Sequence, residues 1–321
     1  MTFDLVYFCI GLVLLTVGGE ALIRGALASA RLLGVSPLLS GLVIVGFGTS
    51  APELVVSVNA AIDGQPDIAI GNVIGSNIGN ILLILGLCAI ITPLSVRPLA
   101  LQRDAVTVVA ASILFLVLAG GGALGRLDAA LLIGALLVYL VWAYWSENFH
   151  SAPSGELHKA ESEELTAVPK SAMSAVFSSL HGLILLIAGS QVFLIGATGL
   201  AHHFGVPEAV IGLTLVAVGT SLPELSISVL AAIRRHADVA VGNILGSNIF
   251  NLLGILGLSA FLQPLPIPPR VLQFDQWVML GTSVLLLLFL YTRRQLSRAE
   301  GGALLVCYCA YVWLSFSVYS G

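Results

Sequence analysis

Glu53 and Glu224 each close a six-residue stretch, GTSAPE at 48–53 and GTSLPE at 219–224, inside sequence apolar enough to lie within a membrane. A carboxylate at that depth costs several kcal/mol unless it is compensated, and such residues mark ion pathways. Proline has no N–H, and its ring clashes with the carbonyl four residues back. Pro52 and Pro223 are therefore expected to bend their helices beside the glutamates and turn carbonyl oxygens around Thr49 and Thr220 inward. Thr49 and Ser50 lie four and three residues before Glu53, which places their hydroxyls on the carboxylate's face of a continuous helix. Two such motifs facing each other offer carboxylates, hydroxyls and freed carbonyls, an environment for a hard cation with six to eight oxygen ligands. Calcium fits that description best.

A second pair of segments follows the first, GNVIGSNIGN at 71–80 and GNILGSNIFN at 242–251. Asn72, Ser76 and Asn80 recur every four residues as a polar stripe on one helix face, matched by Asn243, Ser247 and Asn251. These side chains could line the same centre or tie neighbouring helices together by hydrogen bonds. Gly71, Gly75 and Gly79 run beside the stripe and are expected to admit a closely packed helix. Glu20 also falls within an apolar run, but its equivalent is Gln191, so the carboxylate is not needed twice. Solvation at a helix end or a hydrogen bond is expected there. His202 and His203 are read as residues of the outer membrane interface.

The elements that carry these motifs must be membrane helices. Of 321 residues, 58% are hydrophobic and 9% charged, with mean hydropathy +1.02, whereas soluble domains carry about 25% charged residues. Runs such as VTVVAASILFLVLAGG are continuously apolar, which excludes the short alternating strands of a membrane barrel. Punctuation by polar clusters, Pro and Gly gives about ten spans of the length a bilayer needs. The first apolar run has no basic residues before it and is read as a permanent span rather than a cleaved leader. With both termini outside, all the Lys and Arg residues except Arg126 and Arg270 fall at cytoplasmic ends, as the positive-inside rule requires.

The motifs recur because the chain is a repeat. Glu53 and Glu224 are 171 residues apart, as are Ser76 and Ser247, and Asn80 and Asn251. At that offset 34–87 matches 205–258 at about 30 of 54 positions. The organisation expected is a first transmembrane repeat over 1–148, a cytoplasmic linker over 149–171 and a second transmembrane repeat over 172–321. Five spans per half is an odd number, so the second half crosses in the opposite sense. The fold class is an all-α polytopic membrane protein of two inverted-topology five-helix repeats. In secondary transporters, inverted repeats place the substrate site near mid-membrane.

The paired GTSAPE/GTSLPE and GSNIGN/GSNIFN segments resemble the two alpha repeats of the sodium/calcium exchanger family, within the cation/calcium exchanger superfamily, in a bacterial-type member. The resemblance implies a secondary antiporter working by alternating access, with calcium and sodium competing for one central site. It implies Glu53 and Glu224 as principal ligands, completed by the carbonyls of Thr49 and Thr220. Ser50, Ser76, Ser221 and Ser247 would line sodium positions, and Asn80 and Asn251 would face the centre. Relatives that require potassium have Asp where this chain has Asn251, so two negative charges are expected here. The alternative within the superfamily is a proton/calcium antiporter. No paired Ser/His or Ser/Lys, zinc motif or phosphate-binding loop suggests an enzyme or an ATP-driven pump. No cofactor, nucleic acid or obligate protein partner is expected beyond calcium, sodium and the lipid bilayer. The expected location is the inner (plasma) membrane.

Overall fold

The computed structural model describes residues 2–34, 41–95, 100–149, 171–203 and 219–319. Most of the linker, 150–170, and the start of the seventh predicted span lie outside them. In chain order the helices are α1 (Thr2–Leu33), the bent pair α2a (Leu42–Thr49) and α2b (Ala51–Ile62), and α3 (Pro66–Ile91). These are followed by α4 (Val106–Ala119, entered through a π-helical turn at Ala100–Ala105), α5 (Arg126–Phe149) and α6 (Ala172–His203). The chain is then described through α7 (Leu222–Ile233), α8 (Ala237–Leu262), α9 (Val271–Thr292) and α10 (Arg298–Tyr319). Six of the described helices are long and apolar enough to cross a membrane, or seven if the bent pair is one span.

Polar side chains must be kept from lipid, and that requirement decides which helices are central. The apolar windows of α8 and α3 are 83% and 67% buried, against 33% for α1. Ile70, Val73, Ile74, Ile78 and Ile81 of α3 and Ile244, Leu245, Ile249 and Leu252 of α8 form the middle of the core. Both helices widen into π-helical turns, at Asn80–Leu85 and Phe250–Ile255. Such bulges reorient side chains and are frequent at functional sites.

Contacts between the halves are reciprocal. α1 and α6 pack antiparallel through glycines, so close that a Cβ on Gly18 would come 2.8 Å from the Leu186 nitrogen and one on Gly189 2.9 Å from that of Leu15. Two short antiparallel pairs fasten the loops: β1 (Leu94–Ser95) to β4 (Gln295–Leu296), and β2 (Ala123–Leu124) to β3 (Leu265–Pro266). Asp104, in the π-helical turn before α4, is fully buried. It accepts both forks of Arg103, at 2.6 and 3.0 Å, and the Tyr139 hydroxyl of α5 at 2.8 Å. Its equivalent 171 residues on, Asp275, accepts Arg270 at 2.9 Å and Tyr311 of α10 at 3.1 Å. The same Arg–Asp–Tyr clamp thus ties α4 to α5 and α9 to α10.

Candidate cation site

The break in the second helix falls between Thr49 and Ala51, where the axis turns by 48°. Pro52 is not a kink within a helix. It stands in the first turn of α2b, where its missing N–H has no intrahelical partner to lose, and Pro223 does the same in α7. Glu53 and Glu224 therefore sit in the first turn of a helix, at the positive end of its dipole.

This break corrects one sequence expectation. The hydroxyl of Ser50 does not share a helical face with Glu53; it donates to Glu224 Oε1 across the molecule at 2.9 Å. Ser221 returns the contact, donating to Glu53 Oε1 at 2.8 Å. Spacing by three or four places side chains together only while the helix is continuous, and here it is interrupted between the two residues. Each carboxylate is thus held by the opposite half.

Surrounding groups fix the motifs. Thr49 Oγ1 donates to Asn243 Oδ1 at 3.1 Å. The Gly46 carbonyl accepts the hydroxyl of Ser247 at 2.9 Å and lies 3.0 Å from the oxygen of Ser50, whose single proton goes to Glu224. It is an inward-turned carbonyl that the hydroxyl-and-carboxylate pattern of the motif did not single out. Asn72 donates to Ser57 Oγ at 2.9 Å and to the Glu53 carbonyl at 3.3 Å, and Asn243 does the same to Ser228 at 2.8 Å and the Glu224 carbonyl at 3.3 Å. These two asparagines brace the glutamate-bearing helices. Ser76 donates to the Val73 carbonyl at 3.0 Å and accepts the amide of Asn251 at 3.1 Å, while Asn80 donates to Asn248 Oδ1 at 3.0 Å.

Several polar atoms in this cluster are buried and find no hydrogen-bond partner among the described residues. They are Glu53 Oε2, Glu224 Oε2, Asn77 Oδ1, Asn80 Oδ1, Thr220 Oγ1 and Asn251 Oδ1. All are oxygens, and the carboxylate and amide oxygens can only accept. Burying a carboxylate without a positive partner costs several kcal/mol, and no buried basic side chain pairs with either glutamate among the described contacts. Two carboxylates among neutral oxygen donors make a set whose chemistry suits a hard cation. A cavity of about 40 Å³ reaches Ser76 and Ser221 between α3, α7 and Tyr308 of α10, room for a few water-sized species.

Other sequence candidates lie apart from this cluster. Glu20 accepts Arg24 at 3.0 Å and pairs with Arg234 at 3.2 Å, so the expected hydrogen bond is found, but it stands in the middle of α1 and not at a helix end. His203 pairs with Asp4 at 3.3 Å where the ends of α1 and α6 meet. The close helix packing expected at Gly71, Gly75 and Gly79 is not found among the described residues. It occurs instead at Gly46, where a Cβ would come 2.8 Å from the Asn243 carbonyl of α8.

Comparison with known proteins gives one consistent result. The sodium/calcium exchanger protein family matches residues 3–145 and 174–317. The chain is 38% identical to CaxA of Alkalimonas amylolytica, over 97% of this chain and 98% of that protein. It is 32% identical to the sodium/calcium exchanger MaX1 of Methanosarcina acetivorans, over 99% and 100%. Among solved structures, that of the sodium-calcium exchanger NCX_Mj soaked with Na⁺ and Sr²⁺ superposes with a TM-score of 0.81 at 32% identity, covering 97% of this chain and 98% of that one.

Proposed function

The chain belongs to the sodium/calcium exchanger protein family, and we propose that it is a secondary antiporter exchanging sodium for calcium at the site between Glu53 and Glu224. It is a multi-pass membrane transporter of the cation/calcium exchanger type. One observation carries the finer reading. Both glutamates are fully buried, each with one oxygen fixed by a serine of the opposite half and the other without a donor among the described residues.

In this reading calcium binds between the free oxygens of Glu53 and Glu224, with the partnerless amide oxygens of Asn80 and Asn251 facing the same centre. The carbonyls of Thr49 and Thr220 supply further ligands. Ser50, Ser76, Ser221 and Ser247 line flanking sodium positions. Calcium and sodium compete because both need the same carboxylates, so one class of ion leaves as the other enters. Because the serine contacts cross between halves, a rearrangement of one half against the other changes both glutamates together, as alternating access requires. The two repeats, 1–148 and 172–321, are then inverted about the linker 149–171, in an inner membrane with both termini outside.

The test is calcium uptake into proteoliposomes under an outward sodium gradient, with a pH gradient applied separately. Uptake that follows sodium supports the reading. Uptake driven by protons without sodium would transfer the glutamates to the proton/calcium alternative.

A further inference from the structure

Each amide that faces the site can present either its oxygen or its NH₂ group, and only the oxygen suits a cation. What decides the orientation is visible for both. Asn248, fully buried, donates its Nδ2 to the main-chain carbonyl of Asn77 at 3.3 Å. A main-chain carbonyl can only accept, so the amide of Asn248 has one orientation, and its Oδ1 points the other way. There it receives the NH₂ of Asn80 at 3.0 Å. The amide of Asn80 is thereby turned with its own buried Oδ1 free of any donor among the described residues. A second chain of polarity runs from the Val73 carbonyl. It takes the proton of Ser76, so the Ser76 oxygen must accept, and the NH₂ of Asn251 fills it. This leaves the Oδ1 of Asn251 free in turn.

We infer that Asn248 is a positioning residue for the cation site: relayed from the Asn77 carbonyl, its amide holds Asn80 with the oxygen, and not the NH₂ group, presented for coordination. The inference rests on the reading of Glu53, Glu224, Asn80 and Asn251 as the calcium site. Asn248 touches no ion itself. Its exchange for Leu keeps the volume close but removes the acceptor that fixes Asn80, which then turns its NH₂ inward for part of the time and repels the cation. Asn77, the equivalent of Asn248 in the first half, does not act this way here. Its Nδ2 donates to the Val73 carbonyl of its own helix at 2.7 Å, and its Oδ1 has no described partner.

The experiment is equilibrium binding of radioactive calcium to purified protein in detergent without sodium, measured for the unmodified chain, Asn248→Leu, Asn80→Ala and the double variant. Asn248→Leu is expected to raise the calcium dissociation constant about tenfold in the unmodified background and less than about twofold once Asn80 has no amide to orient. A general packing defect would give the same loss in both backgrounds, and that additivity would overturn the inference. An Asn248→Leu protein with unchanged affinity would overturn it equally. If Asn248→Leu does not fold, Asn248→Ala is carried through the same cycle with the same criteria. Absence of calcium binding by the unmodified chain would instead remove the calcium site, and the role of Asn248 with it.

Discussion

Ser112 of α4 and Ser283 of α9 hydrogen-bond to each other at 3.3 Å, although they hold the same place in the two halves, 171 residues apart. A residue can touch its own equivalent only on the axis that relates them, so the local two-fold passes between these hydroxyls. The crossed contacts Ser50 to Glu224 and Ser221 to Glu53 obey the same relation. Neither half orients its glutamate alone: each half supplies a carboxylate, and the other supplies the hydroxyl that holds it.

Glu53→Gln and Glu224→Gln each remove one of two charges while leaving an oxygen for the opposite serine. Each is expected to abolish sodium-driven calcium uptake while the protein still elutes as a folded, monodisperse species. Uptake near the unmodified rate in either variant would show that the glutamate is not shared between the ions.

The Arg–Asp–Tyr clamps should differ in weight although their aspartates hold the same place in the two halves. Arg103 is 1% exposed, whereas Arg270 is 41% exposed and can turn outward when its partner is lost. Removing one partner of a buried ion pair costs about 3–5 kcal/mol because the other charge is stranded. Asp104→Ala should therefore lower the unfolding temperature in detergent well below that of Asp275→Ala. Equal shifts would mean that Arg103 finds another outlet.

The central motifs were legible from sequence because charge and proline in an apolar run are costly and were written twice. Helix α3 and a break beside the proline follow from that pattern, although the break falls at Ser50 and leaves Pro52 in the first turn of α2b. The exchange of serines was not legible, since it depends on the tertiary crossing of two broken helices and leaves no trace in local spacing. A further duplicated carboxylate could have been found: Asp104 and Asp275 stand at the same 171-residue offset as the glutamates, but outside the stretch of high identity. Tyr139 and Tyr311 miss that offset by one residue, so only the folded helices bring each to its aspartate. Asn248 could be seen as part of a GSN motif, but which amide it orients is a matter of polarity across two helices.

Orientation can be read with thiol labelling. Cys9, Cys307 and Cys309 are exposed and must first be replaced, whereas Cys88 is buried. In that background a cysteine at Thr2 should react with an impermeant reagent added outside intact cells, and one at Ser171 should react only after the membrane is opened. The reverse pattern would invert the placement of both termini.

With Asn at both 80 and 251, Glu53 and Glu224 are the only formal charges at the centre, so a bound calcium ion neutralises the site. Three sodium ions, the stoichiometry implied by the family resemblance, leave it with one net positive charge. Each exchange cycle should then carry one elementary charge across the membrane, coupled to voltage by about 2.3 kcal/mol per 100 mV. At equilibrium that corresponds to a change of about 50-fold in the calcium ratio per 100 mV. Potassium should not be required, because Asn251 stands where a third carboxylate would be needed. Asn251→Asp should make uptake more sensitive to pH, since closely placed carboxylates share protons. It should also disturb the amide donation to Ser76, which a carboxylate cannot make. The measurement is sodium-dependent calcium flux in proteoliposomes with the potential clamped by an ionophore, and with external potassium varied at fixed potential. Flux that ignores voltage would exclude the three-to-one exchange, and flux that stops without potassium would exclude the role given to Asn251.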